Sequence, residues 1–307
     1  SVVAASGAGR RLLGGAALVV AAVAAGAVMP KWLNFLCVMA AAHGLVALGL
    51  VLLMRTGVVS FGQGMASAAG GYAAALAMQH WAIADVLVLA LGGGVVAVLI
   101  TLPFAPLLAR YRGIFFAMLT LALSMVLYGV LIKTTSLGGS DGINLAQPAL
   151  FGQPLAGSAS GFGLYAVTVG VAGVLAVAAR VYVDSARGLL ALAVRDNEIR
   201  VEYLGGAVRQ TVACNFLLAA FCGGVGGALA AMALGHIDPY FSYWTASGEF
   251  VFIAILAGYH SVAAVFAAAL LLELVRSFSG AYFPNTWQLL LGLFLLATIR
   301  FLPGGIG

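Results

Sequence analysis

The stretch "LNFLCVMAAAHGLVALGLVLLM", residues 33–54, contains no Asp, Glu, Lys or Arg. As a helix it is long enough to cross the hydrocarbon core of a bilayer, which is roughly 30 Å thick and needs about 20 apolar residues. The whole chain has the same character, with 64% hydrophobic residues, 7% charged residues, 41 glycines and a mean hydropathy of +1.13. We therefore expect an all-α polytopic membrane protein.

Similar apolar runs recur along the chain, separated by short segments that carry Pro, Gly or charge. They predict about nine transmembrane helices, within a range of about 8–10, with one or more broken or re-entrant segments. The predicted spans lie near residues 12–29, 33–54, 57–79, 84–104, 112–132, 161–181, 210–234, 246–275 and 285–301. The run at 246–275 is long for one span and carries "AGYHS" in its middle, so it is either one tilted helix or two segments. We expect residues 1–307 to form a single transmembrane domain.

The first apolar run follows Arg10 and Arg11, a pattern shared by signal peptides and by first helices that stay in the protein. Because the run from Leu12 to Val28 is longer than a usual signal core, we expect a helix that stays. If the spans alternate, the basic loops all share the cytoplasmic side, and the loops near 80–84, 134–160 and 235–245 face outward. The C-terminus then lies in the cytoplasm if 246–275 is two segments, and outside if it is one.

Charge is concentrated in the stretch "RGLLALAVRDNEIRVEYLGGAVRQ", residues 187–210. Apolar and charged residues alternate there at three- and four-residue steps without proline, which predicts an amphipathic helix over 188–204 within a cytoplasmic loop at 182–209. Such a helix either only connects two spans and fixes their topology, or docks into a partner. In the second case the groove-filling side chains are Leu192, Ile199 and Tyr203, and the rim charges are Arg195, Asp196, Glu198 and Arg200.

A second unusual stretch runs from Gly57 to Tyr72, where glycines and polar residues interrupt an apolar span. It fits either close helix packing by small residues or a broken helix whose backbone and Gln63 side chain line a polar pathway. Ionisable residues within spans are the other candidates for function, because they are costly in lipid. They are His43, which we interpret as a hydrogen-bonded packing residue, Glu249, and Glu273, which is spaced to pair with Arg276.

Several other functions have little support. The basic residues do not cluster with aromatic residues on a soluble face, so nucleic acid binding is not expected. The cysteines, Cys37, Cys214 and Cys222, lie in apolar runs and are expected to be core residues without a disulfide or metal role. The chain has no phosphate-binding G-x-x-x-x-G-K-S/T motif and no catalytic motif, so we expect neither an ATPase nor another enzyme.

Five stretches together resemble the M-type permease subunits of branched-chain amino acid ABC importers, in the hydrophobic amino acid uptake family. The resemblance covers nearly the whole chain. It rests on "GVVSFGQGMASAAGGYAAAL" (57–76), "YRGIFFAMLTLALSMVLYG" (111–129), "SLGGSDGI" (136–143), "RGLLALAVRDNEIRVEYLGG" (187–206) and "LLLGLFLLATIRFLPGGIG" (289–307). The chain departs from the family pattern at Arg200 and Val201, where alanines are usual. It also departs within "AGYHSVAAVFAA" (257–268), where Ala257, His260, Ala264 and Ala268 replace glycines.

The resemblance implies a multi-pass subunit in the bacterial inner membrane, with no catalytic residue, metal or cofactor of its own. Its implied partners are a second homologous permease, two ATPase subunits that bind ATP and Mg²⁺, a periplasmic solute-binding protein and membrane lipid. The implied ATPase-coupling residues are Leu192, Arg195, Asp196, Asn197, Glu198, Ile199, Arg200, Tyr203 and Gly205. The implied pathway residues are Gly57, Ser60, Phe61, Gly62, Gln63, Gly70 and Tyr72, and the implied contacts of the binding protein are Gly138, Gly139, Asp141 and Gly142. The alternative is a stand-alone secondary transporter or channel.

Overall fold

The computed structural model of the chain describes residues 2–150, 152–155, 162–259, 261–282, 289, 292–294, 296–297 and 300. The predicted last span at 285–301 and the C-terminal motif at 289–307 lie largely outside these residues. Helices make up most of the described chain, and the prediction of an all-α polytopic membrane protein is confirmed.

The helices differ in length and in how apolar they are. Those long and apolar enough to cross a bilayer, among the described residues, are α2, α6, α7, α10 and α12, and shorter apolar helices include α4 and α11. In chain order the helices are α1 (Val2–Ala25), α2 (Lys31–Met54), α3 (Gln63–Trp81), α4 (Val86–Thr101), α5 (Ala105–Leu108), α6 (Gly113–Lys133), α7 (Phe162–Val183), α8 (Ala186–Asp196), α9 (Glu198–Tyr203), α10 (Val208–Leu234), α11 (Trp244–Ala257) and α12 (Val262–Tyr282).

The structure decides the two ambiguous spans. The run at 246–275 is two segments, α11 and α12, which separate at Gly258, where φ is 75°. The predicted span at 57–79 is helical only from Gln63, because residues 57–62 form an irregular segment that begins at Gly57 with φ of 82°. Glycine adopts positive φ without the steric cost that a side chain brings, so the chain can leave the helical conformation at these two positions.

Two small antiparallel ladders lie on the predicted outer side. Strand β1 (Ile143–Asn144) pairs with β4 (His236–Ile237), and β2 (Ala149–Leu150) pairs with β3 (Gln153–Pro154). The first ladder joins the loop after α6 to the end of α10, so it fixes how the outer ends of these helices are connected.

Helix α10 is the centre of the bundle and packs against α2, α3 and α4. Glycines allow these backbones to approach closely. A Cβ at Gly70 on α3 would overlap the backbone oxygen of Gly224, and a Cβ at Gly227 would overlap the backbone of Ser67. Small residues are the usual means of close packing between helices in membranes.

The contact at Gly70 gives a direct test of this packing. We expect Gly70→Ala to lower the free energy of unfolding by about 1–3 kcal/mol, because overpacking against a backbone atom cannot be relieved by a rotamer change. Gly92→Ala on α4 is the matched control, since nothing lies within 4 Å of the added Cβ. Thermal unfolding of both variants in detergent measures the difference, and equal midpoints would contradict the packing role.

Candidate functional site

The charged stretch at 187–210 forms two helices. The prediction of one helix over 188–204 is wrong, because α8 ends at Asp196 and α9 begins at Glu198. Asn197 separates them in an extended conformation, and its side chain accepts a hydrogen bond from the backbone N–H of Arg200 at 2.9 Å. An asparagine that caps a new helix in this way competes with continuation of the preceding one. Gly205 follows α9 with φ of 82° and ends it as predicted.

One side of these helices packs onto the membrane domain. Val194 on α8 and Val201 on α9 are buried in a cluster with Val208 and Phe216 of α10 and Phe116 of α6. The loop therefore packs on the ends of the spanning helices α6 and α10.

The opposite side carries apolar side chains that the chain leaves uncovered. Ile199 is 66% exposed, Tyr203 is 88% exposed and Leu204 is 81% exposed. We call these three residues the apolar patch. Leu192, predicted to share this surface, is half-buried, whereas Asp196, Asn197 and Arg200 are exposed as predicted. An exposed apolar patch on a charged loop is typical of a surface that contacts another protein.

Glu198 is held within the chain. Its carboxylate accepts two hydrogen bonds from the guanidinium of Arg112, at 2.9 and 3.0 Å. Arg112 is the residue that precedes α6, and its Nη1 also donates to the carbonyl oxygens of Ala109 and Tyr111, both at 2.8 Å. This bidentate pair fixes orientation as well as distance, so it ties the start of α9 to the start of α6.

Arg195 makes a second connection, to the turn between α11 and α12. Its guanidinium lies 3.6 Å from the centroid of the Tyr259 ring. Arg55, the residue that ends α2, donates from Nη1 to the carbonyl oxygen of Tyr259 at 3.0 Å. A Cβ on Gly57 would touch Arg195 at 3.4 Å, so the turn after α2 also lies against α8. Tyr259 is thus contacted by two arginines, one from the loop and one from the end of a spanning helix.

Arg55 is the more buried of these two arginines, with 7% of its surface exposed. Burial lowers the pKa of the Arg55 guanidinium, and the carboxylate of Asp184 opposes that shift. A guanidinium keeps its proton in proteins, so Arg55 remains a fixed positive charge beneath the loop.

The predicted pathway residues lie where α3 begins inside the protein. Ser60 and Gln63 are buried, and the backbone N–H of Phe61 donates to Thr120 Oγ1 of α6 at 3.1 Å. The N–H of Gly64 donates to Ser247 Oγ of α11 at 3.0 Å. Hydroxyl groups from neighbouring helices thus satisfy irregular backbone within the membrane, as buried non-helical segments require.

The other predicted pathway residues have different surroundings. Gly57 lies beside Arg195 and Gly62 lies beside Thr120. Gly70 and Tyr72 pack within the bundle, where both are buried. A role of this stretch in the pathway stays a prediction.

The predicted outer loop is a compact turn. Gly138, Gly139 and Gly142 all have positive φ, of 84°, 56° and 71°. A Cβ at Gly142 would overlap the backbone of Ile237, so the turn packs directly on β4. The side chain of Asp141 is exposed beside it and accepts a hydrogen bond from Ser140 Oγ at 3.1 Å. The glycines are therefore needed for the fold of this loop, and contact with a binding protein stays a prediction.

A family model described as the permease component of branched-chain amino acid transport systems matches residues 32–299. The chain belongs to this family. No curated protein and no solved structure matches it. The matched range includes the charged loop, both broken spans and the outer loop, so the permease fold extends over all the sites described above.

Sequence reasoning found the charged loop of this permease but missed the residues that hold it. Arg112 lies within the stretch at 111–129 and Tyr259 within the stretch at 257–268, and Arg55 is one of the basic residues at the ends of the apolar spans. No local pattern joins Glu198 to Arg112, which lies 86 positions away. The available signal was charge, since an acidic residue in a loop between apolar spans is chemically suited to pair with an arginine at the end of another span.

Proposed function

We propose that this permease is the membrane subunit of an ATP-driven ABC importer for branched-chain amino acids or related small polar or amphipathic solutes. It forms the translocation pathway with a second homologous permease in a bacterial inner membrane. Two cytoplasmic ATPase subunits bind ATP and Mg²⁺, and a periplasmic binding protein delivers the solute near the turn at Gly138–Gly142. The chain itself contributes no catalytic step.

The observation that carries this proposal is the apolar patch on the charged loop. Ile199 and Tyr203 lie one helical turn apart on α9, so their side chains project to the same side. Leu204 extends the patch. Leaving three large apolar side chains in water is unfavourable, and a groove on an ATPase subunit would remove them from it.

The intrachain contacts of the loop explain how movement of an ATPase reaches the membrane. Movement at α9 acts on α6 through Glu198 and Arg112. Movement at α8 acts on α2, α11 and α12 through Arg195 and Tyr259. Two helices meeting at Asn197 thus have separate connections to different spans. Binding and hydrolysis of ATP can drive the permease only if the ATPase contacts this loop differently in the two conformations of the transporter, because coupling requires such a difference.

Purification of the tagged permease from its native membranes tests the proposal. We expect two ATPase subunits and a second permease to co-purify, and we expect solute uptake by proteoliposomes of this complex to need ATP and the binding protein. Uptake by the purified permease alone, driven by an ion gradient, would contradict the proposal and favour a secondary transporter.

A further inference from the structure

Four ionisable residues from three helices form one connected cluster inside the bundle. His43 Nδ1 of α2 lies 2.6 Å from Glu273 Oε1 of α12. Arg276 Nη1 donates to Glu249 Oε2 of α11 at 3.1 Å and lies 3.9 Å from Glu273 Oε1. The sequence predicted a pair of Glu273 with Arg276 and a packing role for His43. The structure contains the predicted Glu273–Arg276 pair and adds His43 on the other side of Glu273 and Glu249 on the far side of Arg276.

The cluster lies near the middle of the membrane. At a rise of 1.5 Å per residue, Arg276 is roughly 21 Å along α12 from Val262, and His43 is roughly 16 Å from the cytoplasmic end of α2. Glu249 is about 12 Å from the cytoplasmic end of α11. Since the hydrocarbon core is about 30 Å thick, all three lie within it, about 12–21 Å from its predicted cytoplasmic side.

The cluster has one exposed side. The Arg276 side chain is 40% exposed and the Glu249 side chain is 26% exposed, whereas His43 and Glu273 are each 11% exposed. Charged side chains at this depth face a protein interior or a water-filled cavity, because contact with lipid chains is costly. The exposed edge formed by Glu249 and Arg276 therefore does not face lipid.

The exposed surface around that edge mixes polar and apolar groups. Ser277 next to Arg276 is exposed, and the Phe278 side chain beyond it is 54% exposed. The uncovered face of α6 is different, since it has no charged residue from Ile114 to Val130, and its large exposed side chains are Ile114, Phe115, Met118, Val126 and Val130. A few charged and polar groups on a mostly apolar surface are typical of a ligand passage, whereas a continuous apolar face is typical of a lipid or partner contact.

We infer that the Glu249–Arg276 edge lines the solute passage and contacts a zwitterionic solute there, the solute carboxylate at Arg276 and its ammonium group at Glu249. This inference rests on the proposed function, because it places the passage between two permeases. The carboxylate of a zwitterion replaces Glu249 as the partner of Arg276, and its ammonium group replaces Arg276 as the partner of Glu249. Neither charge is then left unpaired. A solute with a single charge would pair with only one of the two groups and would weaken the pairing of the other within the membrane, which is costly. Glu273, held by His43, positions Arg276 from behind.

Thiol labelling of the complete transporter in proteoliposomes tests whether the edge lines a water-filled passage. Cys37, Cys214 and Cys222 are first replaced by alanine, and a single cysteine is placed at Ser277 or, as the control, at Val126 on the apolar face of α6. We expect a charged, membrane-impermeant thiol reagent to modify Ser277→Cys at least about ten-fold faster, because apolar surroundings suppress the reactive thiolate. Equal slow rates at both positions would show that protein or lipid covers the edge, and would overturn the inference.

The same variant tests the solute contact. Leucine is expected to slow modification of Ser277→Cys, whereas isopentylamine, which has the same side chain and amine but no carboxylate, is expected to leave the rate unchanged. Rapid labelling that leucine does not slow would contradict contact with a zwitterion. Slowing by both compounds to the same extent would contradict the role of Arg276.

Charge substitutions provide a readout that is independent of labelling. Arg276→Gln is expected to reduce leucine uptake about ten- to a hundred-fold, because the variant loses a charge-assisted hydrogen bond to the solute carboxylate. Arg276→Lys keeps a positive charge against both Glu249 and Glu273 and serves as the test of correct folding. ATPase co-purification should remain in both, so failure of this inference is distinguishable from failure of the proposed function. Full uptake in Arg276→Gln would overturn the inference.

Discussion

Replacing Ile199 and Tyr203 together by alanine is expected to weaken ATPase binding at least about 100-fold. Central aromatic and aliphatic contacts of an interface often contribute about 2 kcal/mol or more each when truncated. These side chains are 66% and 88% exposed in the permease, so their removal takes away contact area without opening a cavity in this chain. Alanine also keeps the helical preference of α9.

The measurement is the affinity of the purified ATPase for the permease in nanodiscs. Glu202→Ala is the matched control, because Glu202 is an exposed residue of the same helix that lies outside the apolar patch. We expect this control to bind normally and both variants to unfold at the wild-type temperature. Normal ATPase affinity in the double variant, with the fold intact, would show that the patch is not the docking surface.

Much of the fold could be predicted from local sequence because apolar length determines where helices cross a bilayer. The runs at 33–54, 112–132 and 210–234 match α2, α6 and α10 closely. The breaks were harder to place. Glycines marked the irregular segment before α3 and the turn at Gly258, but whether a glycine ends a helix depends on tertiary contacts, as Gly70 within α3 illustrates.

The contacts of the candidate sites could not be predicted because they join distant parts of the chain. His43 was interpreted as a packing residue since no acid shares its helix, yet Glu273 reaches it from a helix 230 positions away. Arg195 was assigned to the rim of a docking surface, whereas the Tyr259 ring lies against it within the same chain. Local periodicity indicates which side of a helix is buried, but it carries no information on which helix covers it.

Reversing the charge of Glu198 in the Arg112–Glu198 pair is expected to uncouple transport from ATP hydrolysis, which is the second large effect. Glu198→Arg places two guanidinium groups together at the junction of α6 and α9 and breaks both hydrogen bonds. The apolar patch is untouched, so we expect ATPase binding and hydrolysis to continue. The amount of solute moved per ATP hydrolysed should decrease by about 5- to 150-fold. This is the effect that coupling free energies of about 1–3 kcal/mol produce.

Charge exchange separates this role of the pair from a general effect of charge on the loop. Arg112→Glu combined with Glu198→Arg restores an ion pair across the same junction and is expected to recover part of the lost coupling. Glu202→Arg is the matched single change, because Glu202 is an exposed glutamate on the same helix, and it should leave coupling intact. If Glu198→Arg and Glu202→Arg lowered coupling equally, α9 would respond to loop charge alone. If neither did, the Arg112–Glu198 pair would not transmit the movement from α9 to α6.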